Sequence, residues 1–195
     1  MNRRAAAAGV AVLALAVITS CSPSPPPAPT EPSMDVPPIP GTGLAGTARF
    51  RADPCSAVTV EQLNSLGFTG GDRSVDGNRC VTKFGPVASV DTVNRDNSLR
   101  TLYLEHARGH DTGNHWEPIT IDTVHPAVIV TVDDNVPSKQ ADGPLGCTLA
   151  LAADDSTLIY ITAATYDKPE AGPWQHDPCG AAQKIAEVAA RNLRT

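Results

Sequence analysis

The chain has 195 residues, with 15 Lys and Arg against 21 Asp and Glu, a net charge of −6. An acidic surface is repelled by phosphate backbones and by anionic lipid headgroups, so neither nucleic acid nor electrostatic attachment to a membrane surface is expected. The length suits one domain of ordinary size with something added to it.

The added part comes first. Arg3 and Arg4 precede an apolar run over residues 5–18, and the small residues Thr19 and Ser20 close it. A positive start, an apolar middle and a small-residue end make a secretory signal over 1–20. The run falls short of the roughly 20 apolar residues that a membrane span needs. Cys21 follows at once, between this run and a proline-rich stretch, where no core can form around it. Ile18-Thr19-Ser20-Cys21 resembles the lipobox of bacterial lipoproteins. That resemblance implies cleavage before Cys21, a diacylglyceryl group on its sulfur and an acyl chain such as palmitate on the new amine. One acyl chain holds a protein only marginally, and two or more hold it stably. Cys21 is thus expected to anchor the protein to the extracytoplasmic face of a cell membrane. Loss of Arg3 and Arg4 with the signal leaves 13 basic against 21 acidic residues, a net of −8.

Nine of the 18 prolines lie between Pro23 and Pro40, which favours extended polyproline II. Residues 21–52 are therefore read as a tether, loosened by Gly41-Thr42-Gly43 and able to hold a domain roughly 60 Å from the bilayer. The folded domain is placed at 53–195.

The domain opens on Asp53-Pro54-Cys55 and ends with Asp177-Pro178-Cys179 before an Ala-rich stretch. An Asp cap and a Pro in the first turn start a helix, and Ile185, Val188, Ala189 and Leu193 form one stripe along 179–193. After the first tripeptide, Thr59 and Gln62 make a capping box, Val58 and Leu63 a staple, and Gly67 a stop. Between these helices the pattern has period two. Strands are expected at 79–84, 99–106, 118–123, 127–132, 147–152 and 157–162, the last two joined as a hairpin through Asp154-Asp155-Ser156. The fold class that follows is α+β, an antiparallel sheet of five or six strands with an N-terminal and a C-terminal helix on one face.

Cys55, Cys80, Cys147 and Cys179 would reach an oxidising space, where an even count reads as two disulfides. Of three connectivities, Cys55–Cys80 and Cys147–Cys179 are expected, because each joins a helix start to a nearby strand. A metal site is the weaker use, since no two cysteines have C-x-x-C spacing.

The two Asp-Pro-Cys motifs, with Leu63, Gly67, Cys80 and Cys147 between them, resemble the DUF3558 family of actinobacterial lipoproteins. In that family Trp often stands two residues after the second cysteine, where this chain has Thr82. The resemblance covers about residues 50–195. It implies a lipid-anchored extracytoplasmic domain and carries over no catalytic residue.

Other constellations are weak. His106, His110 and His115 are interrupted by Gly109 and Gly113 and read as loop histidines, with no metal assigned. Asp133-Asp134 and Asp154-Asp155 read as turn formers. No G-x-S-x-G or G-x-x-x-x-G-K motif occurs, and no catalytic residue and no cofactor is assigned. Trp116 and Trp174 are the candidate contacts for a protein or envelope partner. The expected role is a non-enzymatic binding or accessory module of the envelope. The alternatives are a small envelope hydrolase with its site near 106–116, and a structural subunit of a membrane complex.

Overall fold

The computed structural model describes residues 35–39, 43–85, 88–110, 113–133, 145–166 and 168–194. The signal segment and Cys21 lie outside them. Among the described residues no helix is long and apolar enough to cross a membrane.

In chain order the elements are α1 (Thr47–Ala52), a 3-10 turn (Pro54–Ala57), α2 (Val60–Ser65), β1 (Asp72–Asp76), β2 (Arg79–Phe84), β3 (Ala88–Arg95), α3 (Leu99–Ala107), β4 (Glu117–Ile121), β5 (His125–Asp133), β6 (Gly146–Asp154), β7 (Thr157–Ala164), a 3-10 stretch (Pro169–Trp174) and α4 (Pro178–Leu193). The fold is α+β, and among the described residues the sheet has seven strands rather than five or six, in the order β1-β2-β3-β7-β6-β5-β4. Every neighbouring pair is antiparallel. Pro32–Thr195 make one compact unit.

Alternation along the strands builds two apolar layers. Ala127 and Ile129 of β5, Leu149 and Leu151 of β6, and Ile159 and Ile161 of β7 point to one face. There they meet Ala182, Ile185, Ala186, Ala189 and Leu193 of α4. The alanines let α4 lie close to the strands, and burying Ile185 and Leu193 contributes roughly 1.5–3 kcal/mol each. The intervening residues Val128, Val130, Ala150, Ala152 and Leu158 face the opposite way, onto Leu99 and Leu102 of α3. Helices therefore cover both faces of the sheet, not one.

That second layer corrects the expected strand at 99–106. The Ser98 hydroxyl accepts from the Thr101 N–H at 3.0 Å and caps a helix. Leu99, Leu102, Tyr103 and His106 then recur at three- and four-residue spacing, and Leu99 and Leu102 are buried. A strand would have put Leu102 and Leu104 on one face; the helix selects Leu99 with Leu102 because the sheet offers an apolar surface to cover.

The tether is also shorter than the expected 21–52. Leu44 and Phe50 are buried in the α4 layer. The Leu44 N–H donates to Ala153 O and the Gly46 N–H to Leu193 O, both at 2.6 Å. Further upstream, Val36 and Ile39 pack against the α3 layer. Apolar side chains inside a polar, proline-rich stretch draw these residues onto the domain.

The two Asp-Pro-Cys motifs behave alike. Asp53 accepts from the Cys55 N–H at 2.9 Å and Asp177 from the Gly180 N–H at 2.8 Å. The Thr59–Gln62 capping box is formed in both directions.

Candidate functional site

α3 covers the sheet over β5, β6 and part of β7. The same face continues past it over β1, β2 and β3, and there it is polar. Register sets which side chains stand side by side: Arg79 is paired with Val93, and Val93 with Tyr160; Asp91 is paired with Thr162, and Thr162 with Thr148. Two adjoining hollows of about 360 and 410 Å³ lie along these rows and share Arg95, Thr148 and Tyr160, so they form one groove. Glu105 and Asn97 wall it at the α3 side, and Asp76 and Asn78 at the β1–β2 turn.

Its charges are largely internal. Arg79 makes an ion pair with Asp91 Oδ2. Asp91 is 8 % exposed, and its Oδ1 has no hydrogen-bond partner. A buried acceptor left unpaired costs about 1–3 kcal/mol, more when charged. The Arg95 guanidinium lies over the Tyr160 ring, 5.3 Å from its centroid, a cation–π contact. Burial raises the Tyr160 phenol above its ordinary value; Arg95 works against this and Glu105 with it. The hydroxyls of Thr148 and Thr162 are 2.9 Å apart and bonded to each other. The groove thus presents hydroxyls and amides above a buried carboxylate on a floor of paired strands.

Both expected cysteine pairs are formed, Cys55–Cys80 with Cα atoms 5.1 Å apart and Cys147–Cys179 with 5.0 Å. Each ties the start of a helical segment to a strand. The family model described as "Protein of unknown function (DUF3558)" matches residues 16–192. The chain belongs to the DUF3558 family. The match takes in Cys21 and all four paired cysteines. No curated protein and no solved structure matches the chain.

In this DUF3558 protein the two tryptophans are both engaged. The Trp174 indole N–H donates to Leu66 O at 2.7 Å, and the ring packs against the α4 layer. Trp116 is half-buried, with His106 stacked on it at 3.8 Å and 3° and Tyr103 edge-on at 5.0 Å. His110, His115 and Glu105 line a cavity beside it of about 10 Å³, room for no more than a water. Burial raises the Tyr103 phenol, with the nearby Asp35 adding to it. Among the described residues no three His, Cys, Asp or Glu side chains are placed to hold a metal. Asp154 accepts from the Ser156 N–H at 2.8 Å and from its hydroxyl at 3.0 Å, a turn former as read. Asp134 lies outside the described residues.

The sequence reading did not single out the groove residues of this DUF3558 protein. Asp91, Val93 and Arg95 alternate in β3, which lies outside the strands expected from sequence. Thr148 and Thr162 are polar positions within otherwise apolar strands, and that interruption was the one local sign of a solvent-facing site.

Proposed function

We propose that this DUF3558 protein is a lipoprotein anchored through Cys21 to the extracytoplasmic face of a cell membrane, where it acts without catalysis as an envelope-binding module. The groove on the α3 side of the sheet carries the reading. It is open to solvent, floored by strands whose backbone bonds are already made, and lined by paired charges and hydroxyls suited to holding a ligand. The signal-like segment and Cys21 support the anchor, and the acidic balance leaves the acyl chains as its attachment to lipid.

Two measurements test it. Cys21→Ser should move the protein out of the membrane fraction, and retention there sinks the anchor. A photo-crosslinking residue in place of Asp76, at the groove rim, should capture an envelope component in intact cells. One in place of Asn64, exposed on α2, should not. Equal labelling from both positions overturns the groove as the binding site.

A further inference from the structure

We infer that the groove takes a neutral, polyhydroxylated ligand, a short stretch of glycan; the inference rests on reading that groove as the binding site. Three observations lead there. The first is charge. Arg79 is matched by Asp91, and Arg95 stands near Asp96 and Glu105 in the same hollow. The lining sets Asp76, Asp91 and Glu105 against Arg79 and Arg95, so an anionic ligand is repelled, and the two guanidiniums stand against a cationic one.

The second is hydrogen bonding. Asp91 Oδ1 is buried, without a partner, and can only accept. Its cross-strand neighbours Thr162 and Thr148 carry hydroxyls that donate and accept. A sugar offers adjacent hydroxyls with the same double capacity. One can donate to Asp91 while the next exchanges bonds with the threonines.

The third is the floor. β3 is hydrogen-bonded to β2 on one side and β7 on the other, so no backbone groups remain to receive a peptide as an added strand. Side chains alone do the recognition, and half-buried Val93 beside Tyr160 supplies an apolar patch for sugar C–H groups.

The test uses the isotope-labelled full chain in dodecylphosphocholine, a detergent without sugar. Maltohexaose, chitotetraose and mannopentaose are titrated in turn, followed by hexaglutamate and hexalysine, with amide shifts as the readout. At least one saccharide should shift the amides of Asp91, Thr148 and Thr162 saturably. Asp91→Asn and, separately, Thr162→Val should each weaken that binding about tenfold. Thr162→Val keeps the side-chain shape, so its fold is checked by unchanged shifts in α4. Groove shifts produced by a peptide and by none of the sugars overturn the glycan inference and leave the binding site standing. Silence toward both classes overturns the inference and the binding reading together.

Discussion

Trp174 and Leu66 are joined by a 2.7 Å hydrogen bond across 108 residues of chain. The contact sits where two glycines meet back to back. Gly67 has φ 102° and Gly172 φ 58°, both left-handed. A Cβ on Gly172 would lie 2.1 Å from the Gly67 carbonyl oxygen. The end of α2 and the approach to α4 are thereby fitted to each other. Trp174→Phe should destabilise the protein by about 1–2 kcal/mol, since it orphans a carbonyl. Gly172→Ala should cost more, because it adds overlap to an unfavourable φ. Urea unfolding measures both, and a neutral Gly172→Ala would show that the segments do not meet this closely.

The disulfides close loops with separations of 25 and 32 residues. The chain-entropy relation gives about 3.5 kcal/mol for either. Replacing both members of one pair with Ser should lower stability by about that amount in denaturant titrations. A loss under about 1 kcal/mol for either pair would contradict its role in holding the helical layer to the sheet.

Leu102 and Leu104 distinguish helix from strand at 99–106 directly. Leu102 is 4 % exposed in the α3 layer, whereas Leu104 is only half-buried and outside it. Leu102→Ala should cost about 2–5 kcal/mol and Leu104→Ala clearly less. Equal costs would restore the strand.

His125 gives the fold a pH dependence. Burial lowers its affinity for a proton, Arg194 lowers it further, and Asp122 opposes them. An unfolded chain protonates this histidine near pH 6.5. Below that the unfolded state binds the extra proton and the folded state resists it, so stability falls as pH drops and is complete above about pH 6.5. Most carboxylates titrate lower, which leaves the window between about pH 6.5 and 5 for histidine. The thermal midpoint should decline across this window, and His125→Gln should flatten the decline. Parallel profiles for the two proteins would refute the assignment.

The elements that could be read from sequence carry their signals locally. Thr59 and Gln62 lie within one turn, Asp177 and Pro178 begin α4, and Asp154 to Ser156 close the β6–β7 hairpin. β3 has no such signal: Ser89, Asp91, Asn94 and Arg95 break its apolar pattern, and its partner β7 is distant in sequence. β1 is a short, mostly exposed edge strand with little apolar content. At 99–106 the expected period-two strand gives way to a helix, because Leu99 and Leu102 at helical spacing cover the apolar sheet surface. The groove was illegible for a related reason. Its floor comes from β2, β3, β6 and β7, and pairing register, absent from any local motif, places those residues side by side.

The bond from Cys55 to Cys80 also determines how the domain bears a mechanical load. A pull on the N-terminal end can straighten residues 43–54, peeling Leu44 and Phe50 out of place, but it then arrives at a covalent stop. Beyond that point the tension enters β2, which is flanked by β1 and β3 and must share it with them. A domain held at its N-terminal end can therefore stretch its leash by a dozen residues without its sheet being unthreaded.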